Sequence, residues 1–323
     1  MHADAMMQEL LDLLACPECA AASLELTDGD QIICSDCAAR YPIVNGVPNM
    51  LPNRLSGALP HKREYVKRLM LATEDGDGAI EAADVDTDRF MWEHHLYDWG
   101  KRVIYSHAGA GQIFQSYAED GARNLRRFIR QWCGDVSGRR LLYVGSGNDT
   151  LVTLPLQADG ALMVNLDVVS DSMEDLLACG ARLCVCGDSR RLPFRDGAFD
   201  IVFCKGSLHH SQPIDTPLKE MARVTRRGGH VIAAEPNRHY CLPRPRLPGG
   251  LGQPTPYESS ISGGEVKRIL SRQGIRDLRV AAFTCAHPAT PAFIARPWRL
   301  ISRIAPRLLN RFAFEFILHG RKA

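Results

Sequence analysis

The sequence predicts an α/β protein with an open, parallel, Rossmann-like sheet in its carboxyl-terminal half. Three short apolar runs, residues 141–144, 161–166 and 201–204, are typical of strands buried on both faces. Each run leads into a glycine-rich or polar segment. In an open α/β sheet the carboxyl ends of the strands meet in one crevice, where the ligand binds.

The groups after these strands suit a nucleoside ligand. Gly145-Ser146-Gly147 forms a tight turn that lets the backbone approach a bound molecule closely. Asp167 ends the second strand, where it can accept hydrogen bonds from ribose hydroxyls, and Asp188 ends the third, where it can accept one from an adenine amino group. Asn148 and Thr150 stand where the dinucleotide fingerprint needs further glycines, which argues against a nicotinamide or flavin enzyme.

A second set of motifs is more specific than the glycine turn. After the turn and the ribose acid come G-D-x-x-x-L-P-F-x-D-x-x-F-D at residues 187–200, L-H-H at 208–210 and E-x-x-R-V-x-x-x-G-G at 220–229. Glu235-Pro236-Asn237 then follows a fifth strand, predicted at 230–234. In this order, the motifs resemble those of the class I S-adenosylmethionine (SAM) methyltransferases over residues 139–323.

This resemblance implies a seven-stranded class I methyltransferase sheet with S-adenosyl-L-methionine as the cofactor. It also implies a helix at 264–273, a sixth strand at 277–283 and an antiparallel last strand at 312–319. The residues expected to bind the cofactor are Tyr143, Gly145, Ser146, Gly147, Asp167, Asp188, Ser189 and Lys205.

Three residues are candidates for catalysis. His209 and His210 follow the fourth strand, near the expected position of the methyl group, so either is a candidate general base. Glu235, at the end of the fifth strand, is a candidate to hold or deprotonate the acceptor. Because alignment of nucleophile and methyl group can suffice for an in-line displacement, a base is optional.

One position departs from the family pattern. Members usually carry an acidic residue two positions before the first glycine, where it helps to hold the methionine end of SAM. This chain has Tyr143 there, and Asp149 follows one position after the place of the usual third glycine. Either a neighbouring group replaces the acid, or the site is altered.

The amino-terminal segment predicts a zinc site. Cys16-Pro17-Glu18-Cys19 and Cys34-Ser35-Asp36-Cys37 are two C-x-x-C turns, and residues 24–26 and 31–33 flank the hairpin signal Asp28-Gly29-Asp30. Such turns, joined by a hairpin, give the tetrahedral sulfur set that zinc prefers. Four cysteines leave no open coordination position, so the zinc is expected to be structural; the alternatives are disulfides or a redox site.

The residues after the second C-x-x-C turn extend this motif. Tyr41-Pro42-Ile43 and Gly46-Val47-Pro48 complete a pattern that is similar to a family of small zinc-ribbon proteins. Relatives of that family are obligate partners and activators of RNA and protein methyltransferases, which they stabilise by strand addition. The resemblance implies that this module is fused here to its client. A folding and docking role is favoured over direct contact with the substrate.

Three regions follow from these patterns: a zinc ribbon at 1–54, a helical cap or linker at 55–138 and the methyltransferase domain at 139–323. Within the second region, helical spacing occurs at 61–72 and 124–133. Leu125, Phe128, Ile129 and Trp132 form the apolar face of the second helix. The acidic stretch 74–88 is expected to be a linker, and the aromatic-rich run 90–99 either part of the acceptor pocket or an ordinary packed helix.

Two segments near the carboxyl terminus have distinctive compositions. Residues 238–256, rich in proline and glycine, are expected to form a lid over the acceptor, with a plain surface crossover as the alternative. Residues 295–311 form a basic amphipathic pattern interrupted by Pro306. Such a pattern suits contact with a membrane surface, a lipid-linked glycan or RNA phosphates, but it is more often a surface helix with its charges in water.

The composition of the chain bears on its binding partners and on its location. A net charge of +2 is too small to indicate nucleic acid by itself, and no apolar run is long enough to span a bilayer. The first residues lack the basic start of a signal peptide, and the cysteines outside the ribbon show no pairing pattern, so a cytoplasmic location is expected.

The leading hypothesis is therefore a methyltransferase that acts on an O or N atom of a small-molecule or glycan acceptor. An RNA methyltransferase is the nearest alternative, since some ribosomal RNA methyltransferases also carry an amino-terminal zinc module. A SAM-binding scaffold or a non-methylating enzyme is the third hypothesis, suggested by Tyr143.

Overall fold

The computed structural model describes residues 2–27, 29–52, 110–211, 213–242, 261–287, 290, 293–294, 296–298, 300 and 311–323. The predicted helix at 61–72, the linker at 74–88 and the aromatic run at 90–99 lie outside these residues. Most of the predicted lid and of the basic amphipathic segment do so too. No helix in the described part of the chain is both long and apolar enough to cross a membrane.

The amino-terminal part is a short helix followed by a small antiparallel sheet. The helix α1 spans His2–Leu11. The sheet has the order β1-β2-β3-β4, and the first two strands pair antiparallel, as the hairpin signal predicts. These strands are β1 (Leu24–Thr27), β2 (Gln31–Cys34), β3 (Arg40–Val44) and β4 (Val47–Pro48). We call residues 2–52 the ribbon.

The carboxyl-terminal part contains a sheet of seven strands in the described residues, which confirms the predicted fold class. Five strands pair parallel in four neighbouring pairs, with helices at the crossovers. The elements up to the fourth of these strands are β5 (Arg140–Val144), α3 (Thr150–Ala158), β6 (Leu162–Asp167), α4 (Ser170–Ala178), β7 (Leu183–Cys186) and β8 (Phe199–Lys205), preceded by α2 (Ala110–Cys133).

The last strand runs antiparallel to its neighbours and sits between two of them. The sheet order is β10-β11-β9-β8-β5-β6-β7, and β11 pairs antiparallel with both β9 and β10. The predicted antiparallel last strand is thus confirmed, shifted by three residues. The remaining elements are α5 (Asp215–Val224), β9 (Thr225–Pro236), α6 (Gly263–Arg272), β10 (Ile275–Thr284) and β11 (Glu315–Lys322).

Alternating side chains of β5 show that both faces of the sheet are covered. Leu141 and Tyr143 pack on one face with α2 and α3, while Leu142 and Val144 pack on the other. The predicted helix at 124–133 is the second half of the longer α2. Its predicted apolar face is buried, with Trp132 half-buried at the margin.

The ribbon packs directly against the edge strand β7 and the segment after it. The amide of Met50 donates to the carbonyl of Cys186 (2.8 Å), and that of Ala15 donates to the carbonyl of Pro193 (3.0 Å). Arg195 donates from its guanidinium to the carbonyls of Leu14 (3.0 Å) and Ala22 (3.1 Å). Apolar residues of the ribbon share one buried cluster with the sheet, so the ribbon covers an edge that would otherwise be open.

Candidate functional site

A cavity of about 330 Å³ lies at the carboxyl ends of β5, β6, β7 and β8, in the predicted crevice. Of the residues expected to bind the cofactor, those that line it are Tyr143, Gly145, Ser146, Gly147, Asp167, Ser189 and Lys205. His210 lines it as well, whereas Asp188, His209 and Glu235 do not.

The glycine turn brings backbone to the cavity surface. Gly145 has φ +65°, and a Cβ there would lie 2.4 Å from the Cβ of Ser207. Gly147 has φ +49°, and a Cβ there would meet no atom within 4 Å, so its surface is open. Both residues adopt the left-handed conformation that glycine tolerates best, and the open space beside Gly147 leaves room for a ligand.

Asp167 is fixed by the backbone around it. One carboxylate oxygen accepts from the amide of Gly147 (2.8 Å) and the other from that of Val169 (3.1 Å). The side chain lines the cavity although the residue is buried. The carboxylate is thus oriented before a ligand arrives, which reduces the ordering cost of binding.

Asp188 lies just behind the cavity surface. It follows β7, and its carboxylate accepts from the backbone amide of Arg190 (2.8 Å) and forms an ion pair with the Arg190 side chain (3.0 Å). Its neighbours Gly187 and Ser189 line the cavity. Asp188 therefore shapes this end of the cavity indirectly, because its hydrogen bonds to Arg190 fix the turn that carries Ser189.

A charged cluster occupies the opposite end, beside β5 and β8. Asp149 accepts hydrogen bonds from the Tyr143 hydroxyl (3.0 Å) and from Lys205 Nζ (2.8 Å), both at Oδ2. Its Oδ1 accepts from the amide of Val152, so Asp149 also caps α3. Tyr143 thus occupies the position where the family usually has an acidic residue, and its hydroxyl donates a hydrogen bond to Asp149, the N-cap of α3.

The two histidines have different surroundings. His209 Nδ1 lies 2.8 Å from Oε2 of Glu235, which is fully buried. The other oxygen of Glu235 accepts from the amides of Ser207 and Leu208, at 3.0 Å each. His210 lines the cavity, and its ring centroid is 3.9 Å from that of His209. Glu235 therefore anchors the loop and His209, and His210 is the histidine that faces the cavity.

Helix α2 reaches the cavity through its first half. Ala118 lines it, and the neighbouring Tyr117 donates a hydrogen bond to Glu315 at the start of β11. Burial raises the pKa of the Glu315 carboxyl. This contact fixes the helix to the sheet beside the cavity.

The four cysteines of the ribbon form a second cluster. Their sulfur atoms all lie within 4.8 Å of one another, and the Cys16–Cys37 and Cys19–Cys34 pairs are each 3.6 Å apart. A tetrahedral zinc ion with Zn–S bonds of about 2.3 Å separates its sulfurs by about 3.8 Å. The Tyr41 hydroxyl lies 3.1 Å from Cys16 Sγ, as a supporting hydrogen bond would require. The spacing fits a tetrahedral metal site.

Comparison with known families matches both parts of the chain. Residues 142–233 match the family described as methyltransferase domain, and residues 8–46 match the Trm112p-like proteins. The chain contains a methyltransferase domain and a Trm112p-like zinc-ribbon domain. The two resemblances drawn from the sequence motifs are thereby confirmed.

The curated relatives resemble the methyltransferase domain. Demethylmenaquinone methyltransferase of Beutenbergia cavernae is 34% identical over 163 residues, which cover 48% of this chain and 65% of that protein. The enzyme of the same name from Corynebacterium glutamicum is 31% identical over 156 residues, covering 47% of this chain and 63% of that protein. The chain thus spans just under two thirds of the length of these relatives.

Among solved structures, a SAM-dependent methyltransferase from Thermotoga maritima is similar to this chain with a TM-score of 0.48 and 14% identity. The similarity covers 73% of this chain and 97% of that one.

Sequence reasoning did not assign a site role to Asp149, Tyr117 or Glu315. In the sequence, Asp149 stands out only because it follows one position after the place of the usual third glycine. The contact of Tyr117 with Glu315 joins residues 198 positions apart. A signal for Asp149 did exist. An acid directly before the apolar start of a helix is a common N-cap, and this N-cap follows the glycine turn.

The contact of Gly145 with Ser207 gives a test of the methyltransferase site. Gly145→Ala should destabilise the protein more than Gly138→Ala. Gly138 has a similar φ of +69° but open space around it, so both variants carry the left-handed cost of about 1–2 kcal/mol. Only Gly145→Ala must also displace Ser207, which hydrogen bonds hold in place, at about 1–3 kcal/mol more. Urea unfolding gives the free energy of unfolding of both variants. An equal loss of stability in the two variants would contradict the assigned packing of Gly145 against Ser207.

Proposed function

We propose that this protein is a SAM-dependent methyltransferase that acts on a small organic acceptor. The observation that carries the proposal is the order of groups along the cavity. Ser189 follows β7, Asp167 ends β6, the glycine turn follows β5 and Lys205 ends β8, on four neighbouring strands. SAM has the matching order of adenine, ribose, sulfonium and amino-acid end.

The residues present fit the nucleoside part of this cofactor. The fixed carboxylate of Asp167 can accept from both ribose hydroxyls, and the open face of Gly147 lets the ligand lie against the backbone. The turn held by Asp188 and Arg190 supports the adenine end. When bound, SAM supplies an electrophilic methyl group on sulfur.

The acceptor would be activated by His210. This side chain lines the cavity, so it could take the proton that an O–H or N–H acceptor would lose when the methyl–sulfur bond breaks and S-adenosylhomocysteine is left. His209 and Glu235 act behind it, because the buried carboxylate fixes His209, whose ring packs on His210. Glu235 is thus proposed as a positioning residue.

A small acceptor is favoured by the relatives of the methyltransferase domain. Two of them are named demethylmenaquinone methyltransferases, so a quinone-like molecule is a reasonable first acceptor to test. Hydroxyl and amine acceptors follow, because His210 offers a base. RNA and glycans complete the panel of acceptors to be tested.

The ribbon is proposed to hold one structural zinc ion. The four sulfurs have a suitable spacing, and a four-thiolate set leaves no position for substrate. The ribbon covers the edge of β7 in the same chain, which supports a docking role.

The histidine assignment is tested by His210→Ala. Radiolabelled SAM is incubated with the acceptor panel, and methylated product and S-adenosylhomocysteine are measured. The variant should lose about 10²–10⁴-fold in transfer rate, the usual contribution of a general base, while SAM affinity stays within about threefold. His239→Ala, at an exposed position, is the matched control. SAM binding without transfer to any acceptor in wild-type protein would favour a scaffold, and salt-sensitive transfer to RNA would favour the RNA hypothesis.

The zinc assignment is tested by metal analysis of purified protein. Wild-type protein should contain about one zinc ion per chain, and Cys34→Ser should lose most of it and unfold at a lower temperature, because the metal supplies folding free energy. Cys179→Ser, which changes an exposed cysteine outside the ribbon, should alter neither quantity. Wild-type protein from which the metal has been removed, and which melts at the same temperature as the untreated protein, would contradict the assignment.

A further inference from the structure

The cluster of Tyr143, Asp149 and Lys205 carries an inference that rests on the proposed function and goes beyond it. All three side chains line the cavity, next to the glycine turn. Two of them carry opposite charges, and the ion pair is largely shielded, with side-chain exposures of 22% for Lys205 and 15% for Asp149. A shielded ion pair is costly to form unless its geometry is good or it serves a ligand.

The position of the cluster identifies the part of the ligand that reaches it. The strand order β7-β6-β5-β8 places Ser189 and Asp167 at one side of the cavity and Lys205 at the other. If adenine and ribose occupy the first side, the amino-acid end of SAM lies over β5 and β8. That end is a zwitterion, with an ammonium and a carboxylate on the same carbon.

The hydrogen-bonding capacity of the pair suits a zwitterion. Among the residues that the structure describes, Asp149 accepts three hydrogen bonds, whereas a carboxylate has about four acceptor sites. In the same set, Lys205 Nζ donates to Asp149 alone, whereas an ammonium has three donors. Each partner can therefore gain a bond to the ligand without giving up the other.

The charges also favour this arrangement. A lysine beside a sulfonium cation would repel the cofactor unless each positive charge faced a negative one. Asp149 supplies a negative charge for the ligand ammonium, and Lys205 meets the ligand carboxylate. Two pairs of opposite charge then alternate around the end of the cavity.

We propose that Asp149 and Lys205 together bind the amino-acid end of SAM, replacing the acid that Tyr143 displaces. Asp149 accepts from the ligand ammonium, and Lys205 donates to the ligand carboxylate. Tyr143 is a positioning residue, because its hydroxyl holds Asp149 Oδ2 at the cavity surface. The pair thus selects ligands that carry both charges.

A purely structural role would change the binding of all ligands alike or leave it unchanged, so the test compares ligands that differ at this end. Isothermal titration measures SAM, 5′-methylthioadenosine, which lacks the amino-acid end and has a neutral sulfur, and decarboxylated SAM, which lacks only the carboxylate. The variants are Asp149→Asn, which retains a good helix N-cap, and Lys205→Met. The controls are Asp159→Asn, at the other end of α3, and Lys219→Met, at an exposed position.

Asp149→Asn should weaken SAM binding by about tenfold to a hundredfold, the value of one hydrogen bond between charged groups. Binding of 5′-methylthioadenosine should stay within about threefold, because it does not reach the cluster. Wild-type protein should prefer SAM over decarboxylated SAM by about tenfold or more, and Lys205→Met should remove most of that preference. Both control variants should behave as wild type.

Two results would overturn the proposal while leaving the proposed function intact. The first is wild-type affinity for SAM in both folded variants. The second is an equal loss for SAM and 5′-methylthioadenosine in Asp149→Asn, which would mean that Asp149 only shapes the glycine turn. If folded wild-type protein binds neither ligand, the proposed function itself fails.

Discussion

The parallel pairing of β5 with β6 on one side and β8 on the other is the constraint on which the site depends. Val144 is in register with both Leu166 and Cys204, so the next residue on each strand lies at the same edge. Those residues are Gly145, Asp167 and Lys205. The positions of the cavity, of the Asp167 carboxylate and of Lys205 therefore depend on one register. A slip of one residue would destroy this arrangement by turning buried side chains to the opposite face of the sheet.

The ribbon covers β7, which is an edge strand of this sheet and therefore has a neighbouring strand on one side only. Strand β7 is the edge of the sheet and leads directly into the turn that holds Asp188. Met50 pairs with its last residue, and Ala15 pairs beyond that turn at Pro193. In the proposed zinc assignment, the cysteine cluster keeps a small hairpin folded, and that hairpin packs beside one wall of the cavity. Fusion in one chain makes this contact intramolecular, with a high effective concentration.

Much of the fold could be predicted because its signals are local. Short apolar runs, glycine turns and paired C-x-x-C turns each lie within a few residues, and all of them correspond to the observed elements. The site was less predictable where it depends on side-chain direction. Sequence alone places Glu235 and both histidines near the acceptor, but only the structure shows Glu235 buried under the loop with His209. It also joins Tyr143 to Asp149, and Tyr117 to Glu315, by contacts that spacing does not encode.

The most direct test of the account is a crystal structure of the protein with S-adenosylhomocysteine. We expect adenine beside Ser189, both ribose hydroxyls on Asp167 and the amino-acid end between Asp149 and Lys205. A ligand bound in the reverse direction, with adenine at Lys205, or bound outside this cavity would contradict the account.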